Sequence, residues 1–216
     1  MMEEKYCWNR CRYMNVATAR IPNPPPFSRE IVQGPEGPVE LLRVPDVRQD
    51  ENYTCGPSSL QAVLGYYGEE HFEADLAEQS HADPEEGTPP ANLAKTAREL
   101  GFQAEIKEHL TLEDLEKSVK EGVPVIIAAQ AWRDDNEKDK PWKEIWDSGH
   151  YMVVIGLDNK NVYFEDPSIF HSRGVIPRDE FLDRWHDIDY NQPCNNLGIF
   201  IHGKEPKPFP PTMHVD

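Results

Sequence analysis

The segment from Gln49 to Gly68, QDENYTCGPSSLQAVLGYYG, carries the strongest structural signal in this chain. From Leu60 onward, apolar residues recur at i, i+3, i+4 and i+7, which is the spacing of an amphipathic helix with one face against a core. Pro57 is tolerated in a first helical turn, and Gly68 suits the position just past a helix end. The pattern therefore predicts a helix that begins at Cys55 and ends before Gly68.

Cys55 would lie at the N-terminus of this helix, where the helix dipole and unpaired backbone N–H groups favour a thiolate. The thiolate is the nucleophilic form of cysteine. Gln49 lies six residues upstream. Its side-chain amide is placed to join the backbone N–H of Cys55 in an oxyanion hole for a tetrahedral intermediate. Cys55 is therefore a candidate nucleophile, and Gln49 a candidate oxyanion donor.

A second informative block contains His150 and Asp166. The sequences GHYMVVIG at 149–156 and NVYFEDP at 161–167 predict two antiparallel strands joined by a turn at 158–160. His150 opens the first strand and Asp166 closes the second, so the hairpin returns both to one end of the sheet. A three-residue loop places them on one face, whereas a two-residue loop without a bulge would place them on opposite faces.

Together, the Gln49–Cys55 segment and the block around His150 and Asp166 resemble papain-like cysteine peptidases, and more closely the bacteriocin-leader (double-glycine) peptidases. The resemblance covers roughly residues 40 to 202. It implies an α+β papain-like cysteine proteinase fold, with helices packed on an antiparallel β-sheet. It also implies thiol-dependent hydrolysis of a peptide or isopeptide bond without a cofactor. Cys55 would be the nucleophile, His150 the base, Asp166 the group that orients the base, and Gln49 the oxyanion donor.

Two other functions are compatible with the same residues. A transglutaminase-like acyltransferase uses the same constellation with an amine, instead of water, as the acceptor. A catalytically silent peptide-binding module is the second alternative, although such domains usually lose the cysteine or the histidine, and this chain keeps both Cys55 and His150.

A charged loop is predicted at 133–148, directly before the histidine strand, and it contains Trp142 and Trp146. Loops beside an active site commonly carry specificity. Trp142, Trp146 and Gly149 are therefore candidates for substrate binding. For the tryptophans, the alternative is packing against the edge of the sheet.

The charge of the chain restricts its partners. Acidic residues number 39 and basic residues 22, which gives a formal net charge of −17. Such a charge opposes binding to nucleic acid or to an anionic membrane and favours a neutral or basic peptide or protein substrate. The sequence does not indicate an oligomeric state.

The compartment and the metal content also follow from the sequence. No apolar run reaches the ~18 residues of a membrane helix, and residues 1–30 lack the apolar region of a signal peptide. A cytoplasmic protein is expected, in which four cysteines are too few for a disulfide scaffold. Cys7 and Cys11 have no Cys or His pair nearby and the histidines form no zinc motif, so no metal site is predicted.

Proline and glycine are concentrated near both ends of the chain, which predicts an extended arm at 1–38 and a loose tail at 204–216 around one peptidase domain at 39–203. Inside this domain, further helices are predicted at 72–78, 88–101, 111–122 and 177–185. Further strands are predicted at 39–44, 102–106, 123–132 and 197–202.

Overall fold

The computed structural model describes residues 29–189 and 191–203. The rest of the predicted arm, with Cys7 and Cys11, and the predicted tail lie outside these ranges. The helices are α1 (Cys55–Tyr66), α2 (Glu73–Gln79), α3 (Pro90–Glu99), α4 (Leu112–Lys120) and α5 (Arg178–Arg184). The strands are β1 (Arg29–Gly34), β2 (Gly37–Leu42), β3 (Gln103–Lys107), β4 (Val125–Gln130), β5 (Gly149–Leu157), β6 (Asn161–Glu165), β7 (Gly174–Pro177), β8 (His186–Asp189), β9 (Gln192–Asn195) and β10 (Gly198–His202).

A six-stranded antiparallel sheet, in the order β3-β10-β4-β5-β6-β7, forms the centre of the molecule. Helix α1 lies against β5, α3 against β3, and α4 against both β4 and β5. The apolar face of α1, including Leu60 and Leu64, is fully buried, as are Val153 and Val154 of β5. The predicted α+β arrangement of helices on an antiparallel sheet is confirmed. Within the described ranges, no helix combines the length and apolar character that a membrane crossing requires.

The ends of the helices follow the local signals in the sequence. Gly68 and Gly101, which follow α1 and α3, have φ angles of +84° and +88°. Glycine adopts this left-handed conformation without the steric cost that a Cβ brings. At the start of α4, the side chains of Thr111 and Asp114 each accept a backbone N–H from the other residue, so the predicted capping box is present.

The β1–β2 hairpin differs from the prediction. Residues 29–38 belong to the predicted arm, but β1 pairs with β2 throughout its length, from Arg29 opposite Leu42 to Gly34 opposite Gly37. Within the described ranges, the Pro and Gly residues at 34–38 that suggest an arm form the tight turn of this hairpin. Its strand β2 also packs on β5, where a Cβ on Gly156 would come within 2.2 Å of the Leu41 side chain.

Three strands near the C-terminal end are also absent from the prediction. Strand β7 extends the central sheet, and β8 and β9 form a separate two-stranded sheet. The sequences of β8 and β9 are HDID and QPCN. Asp, Asn and Pro are depleted in strands, so this hairpin carries a weak local signal.

Candidate active site

Cys55 is the first residue of α1, as the sequence predicts, and its side chain is half-buried. The preceding Thr54 carbonyl accepts both the backbone N–H of Ser58 at 3.0 Å and the Ser58 hydroxyl at 2.8 Å. A Cβ on Gly56 would lie 3.2 Å from side-chain carbons of Leu93 and Tyr151. The missing side chain at Gly56 therefore lets the start of α1 press closely against β5 and α3.

The register of the β5–β6 hairpin brings His150 and Asp166 to one face. Near the turn, Leu157 pairs with Val162. If this register continued along the strands, His150 and Asp166 would lie on opposite faces of the sheet. A β-bulge between Val154 and Gly156 shifts the pairing by one residue, so that Val154 lies opposite Phe164. The extra residue in β5 restores the alternation.

His150 lies between Asp166 and Cys55. Its Nε2 is 2.7 Å from Asp166 Oδ1, and the two residues are 6% and 3% exposed. The other ring nitrogen, Nδ1, is left for the hydrogen bond with Cys55. Burial alone would lower the pKa of His150, but the hydrogen bonds with Asp166 and Cys55 and the negative charge of both partners outweigh it and raise this pKa well above its ordinary value. The described geometry therefore brings the predicted nucleophile, base and orienting acid together.

Gln49 lies beside the loop that follows Asp166. Its backbone N–H donates to Pro167 O at 3.0 Å, and its side-chain Oε1 accepts the Ser168 hydroxyl at 3.1 Å. Its Nε2 donates to Glu51 O at 2.8 Å. Since an amide NH₂ has two hydrogens, one N–H remains for another acceptor. Ser168 also donates its backbone N–H to Asp166 Oδ1 at 2.9 Å, so it links the acid to the predicted oxyanion donor.

A cavity of about 340 Å³ opens beside Cys55 and is lined by Trp146 and Gly149, two of the three predicted substrate-binding residues. The third, Trp142, does not line it. The guanidinium groups of Arg133 and Arg184 both lie over its ring, 4.1 and 3.6 Å from the ring centroid. Cation–π packing therefore occupies Trp142, with arginines of the preceding loop and of α5 as its partners and not the edge of the sheet.

Sequence reasoning missed Asp187, a further residue of this cavity. Its Oδ1 accepts the N–H of Ile188 at 2.9 Å and an amide hydrogen of Gln130 at 3.2 Å. The carboxylate lies so close to Gly149 that a Cβ there would be 2.4 Å from Oδ1. Burial raises the pKa of Asp187 to about 6. The available signal was the alternation of Asp187, Ile188 and Asp189, which fits a strand with acidic residues on one side.

Gln130, at the end of β4, holds the segment before His150 in place. Its side chain is fully buried. The Oε1 atom accepts the N–H of Ser148 at 2.9 Å, and Nε2 donates to the carbonyl of His186 at 3.1 Å as well as to Asp187. One side chain thus ties the loop before the candidate catalytic histidine to strand β8.

A second buried polar cluster supports the loop that carries Gln49. Glu165 accepts the backbone N–H of Val47 at 2.8 Å and forms an ion pair with Arg173. Arg173 also binds Glu30 at 2.8 Å and donates to the carbonyl of Val44 at 2.6 Å. Burial raises the pKa of Glu165 to about 7. The cluster links the 44–49 loop to the strand that ends beside Asp166.

Comparison with known proteins finds similar sequences that cover most of the described chain. The Peptidase_C39 like family matches residues 41–192. The Transport/processing ATP-binding protein ComA of Streptococcus pneumoniae (strain ATCC BAA-255 / R6) is 31% identical over 141 residues, which are 65% of this chain and 17% of ComA. An uncharacterized protein of Methanothermobacter marburgensis is 31% identical over 135 residues, which are 62% of this chain and 78% of that protein.

Solved structures agree in fold. A C39-like peptidase from Bacillus anthracis has a TM-score of 0.59 at 23% identity, with 83% of this chain and 100% of that chain covered. A double glycine motif protease from the AMS/PCAT transporter, in complex with the leader peptide, has a TM-score of 0.53 at 22% identity, with 82% and 99% covered. These similarities confirm the papain-like α+β fold.

The family match includes the elements that carry the predicted catalytic residues. Residues 41–192 contain α1 with its cysteine and the β5–β6 hairpin with its histidine and acid. The match to ComA spans only 17% of that protein's length, and it is a match to a part of a larger chain. On the family match, which covers most of the sequence, this chain belongs to the Peptidase_C39 like family, a family of cysteine peptidases.

Proposed function

We propose that this protein hydrolyses a peptide or isopeptide bond through a Cys55–His150–Asp166 triad with an oxyanion hole that includes Gln49. The observation that carries the proposal is the buried His150 ring, which is hydrogen-bonded to Asp166 on one side and to Cys55 on the other. Thiol acyl transfer needs a nucleophile, a proton shuttle and a group that fixes the orientation of that shuttle.

The reaction follows from these positions. The Cys55 thiolate attacks the substrate carbonyl carbon, and the negative charge moves to the carbonyl oxygen. The backbone N–H of Cys55 and the remaining N–H of Gln49 are the donors for this oxyanion. Protonated His150 gives its proton to the leaving amine, and an acyl-enzyme remains. His150 then takes a proton from water, which attacks the thioester and releases the acid product.

A peptide substrate is supported by the open cavity beside Cys55 and by the structurally similar protease that was solved with a leader peptide. A silent binding module has no need for a buried histidine aligned with a half-buried thiol. The hydrogen bond between His150 and Cys55 therefore favours an enzyme over a binding module.

Cleavage is tested by incubating the protein with a mixture of tryptic peptides and reading new peptide ends by mass spectrometry. We expect new ends with wild type and with the matched cysteine control Cys7→Ala. We expect less than about 1% of them with Cys55→Ala, because loss of the nucleophile costs several orders of magnitude.

Identical products from wild type and Cys55→Ala would overturn the proposal. Addition of monodansylcadaverine to the same mixture detects acyl transfer to an amine. Dansylated peptides without hydrolysed ones would show that an amine, rather than water, is the acceptor.

A further inference from the structure

The cavity beside Cys55 is lined by carboxylates from separate parts of the chain. Among the described residues that line it, none is Lys or Arg. The acidic residues of the lining are Glu85, Glu86, Asp147, Asp187 and Asp189. They come from the loop before α3, the loop before β5 and strand β8. The cavity therefore presents negative charge to any ligand that enters it.

Asp187 differs from a solvent-exposed acid because its carboxylate is partly buried. Burial raises its pKa to about 6, Asp189 repels it, and the nearby His150 attracts it. In the described structure it forms no ion pair with Lys or Arg, in contrast to Glu165 with Arg173 and Glu116 with Arg178. The two hydrogen bonds that Asp187 accepts, from Ile188 and Gln130, both go to Oδ1. Because Asp187 also lines the cavity, a cation that enters the cavity can pair with this partly buried carboxylate.

Two further observations point to a ligand in this cavity. Cys55 itself lines it, so the peptide chain that reacts with the thiol must pass along its wall. Thr88 is another wall residue; it is 4% exposed, and its hydroxyl has no hydrogen-bond partner in the described part of the chain. Buried hydroxyl groups are normally hydrogen-bonded, and an orphaned one at a cavity wall fits a ligand with polar atoms.

We propose that this cavity binds a lysine or arginine side chain of the substrate peptide, close to the scissile bond, with Asp187 as its ionic partner. The inference rests on the proposed peptidase function and names the substrate class of the same site. The negative lining attracts the cation, and the partly desolvated carboxylate gives the ion pair more strength than a pair on the open surface has. A neutral side chain of equal length lacks this interaction, and an acidic one is repelled.

The test uses capped heptapeptides with three glycines on each side of one central residue, which is lysine, norleucine or glutamate. Glycine flanks allow the central side chain to reach the cavity in any register. Bound peptide shields Cys55, so its apparent Kd is read from the slowing of Cys55 alkylation by iodoacetamide. Mass spectrometry of the same samples reports whether the peptides are cut.

We expect the lysine peptide to bind wild type about 10-fold or more tightly than the norleucine peptide, which corresponds to about 1.4 kcal/mol, and the glutamate peptide to bind most weakly. Asp187→Asn keeps an oxygen for the N–H of Ile188 but removes the charge, and it should reduce the preference to about 3-fold or less. Asp189→Asn should reduce it in part. The control Asp183→Asn, an exposed acid on α5 outside the cavity, should leave it unchanged.

Equal binding of the lysine and norleucine peptides, or binding of neither, would overturn the inference. An undiminished preference in Asp187→Asn, with the variant folded as judged by its thermal transition, would also overturn it. The proposed function fails separately. A lysine preference without cleavage of any peptide leaves the binding inference standing and removes the hydrolase, whereas cleavage without a lysine preference does the reverse.

Discussion

At the scale of single residues, the site depends on the different hydrogen-bond partners of the two ring nitrogens of His150. Asp166 fixes one nitrogen at 2.7 Å, and Cys55 uses the other. The raised pKa of His150 means that its ring keeps its proton at neutral pH. The proposed mechanism then requires Cys55 to be a thiolate beside this imidazolium before any substrate arrives.

The thiolate–imidazolium pair of the proposed mechanism predicts selective alkylation of Cys55. At about pH 6 an ordinary thiol is only about 0.3% thiolate, so iodoacetamide should label Cys55 at least about 10-fold faster than the buried Cys194. Burial raises the pKa of Cys194, which slows its reaction further. His150→Ala should remove most of the selectivity. Rates are read at each cysteine by mass spectrometry over a pH series, and a parallel rise of both cysteines near pH 8 to 9 would contradict the ion pair.

A second residue-scale prediction concerns the oxyanion hole. Gln49→Ala should lower kcat by about 10²–10³ without preventing alkylation of Cys55, because it removes a donor and leaves the nucleophile. Ser168→Ala should lower kcat by only about 5-fold, because it frees the Gln49 side chain from one hydrogen bond of about 1 kcal/mol. Ser172→Ala, at an exposed serine in the same loop, is the control. An unchanged kcat in Gln49→Ala would show that this amide has no part in the chemistry.

The site residues that could be predicted from the sequence are those whose type alone indicates a chemical role. A cysteine at a helix start and a histidine paired with an acid across a hairpin seldom occur together in a protein that lacks thiol chemistry. Ser168 and Asp187 were missed because their contribution depends on which atoms they face in three dimensions. The sequence also could not show that Trp142 packs on Arg133 and Arg184 and does not line the cavity, because these residues come together only in the folded chain.

At the scale of elements, the β8–β9 hairpin forms one wall of the cavity and is held to the central sheet by Gln130. The Trp146 ring packs on His186 with centroids 4.2 Å apart, and His186 bonds to the carbonyl of Ile145 at 2.7 Å. The loop before His150 and the acidic hairpin therefore form one supported unit. This hairpin could not be predicted from its sequence, because its polar residues resemble a loop.

Gln130→Leu should lower the free energy of unfolding by about 2–4 kcal/mol, because it leaves the Ser148 N–H and the His186 carbonyl without their partner in a buried place. The matched control is Gln103→Leu, since Gln103 lies on β3 and is exposed. Its effect should stay within about 0.5 kcal/mol. Urea unfolding measures both, and equal stabilities of the two variants would show that Gln130 supports nothing.

At the scale of the whole molecule, the charge of −17 surrounds a cavity that is itself acidic. The overall charge draws basic peptides toward the protein at low salt, and added salt screens this attraction. The partly buried Asp187 is screened less than the surface. Selection of a cation should therefore persist at a salt concentration that removes the long-range attraction.

The lysine preference should also depend on pH. Because the pKa of Asp187 is raised to about 6, its carboxyl is neutral below that value and charged above it. The preference for the lysine over the norleucine heptapeptide should therefore rise as the pH increases through about 6. Of the groups near Asp187, Asp189 also has a raised pKa, His150 stays protonated, and Tyr151 stays neutral, since burial raises its pKa well above the ordinary value. Apparent Kd values from pH 4.5 to 8 test this, and Asp187→Asn should show no comparable rise.

The bulge at Ile155 restricts how the length of this chain can change during evolution. Residues added at the tip of the β5–β6 hairpin enlarge the loop and leave the strands in register. Loss of the bulged residue would instead turn His150 away from Asp166, although both would still be present in the sequence. Gaps in an alignment of active relatives should therefore collect at the tip and avoid the strand between the histidine and the bulge. A relative that lacks one residue there should contain the cysteine, histidine and acid in its sequence but should not bring the histidine and the acid together.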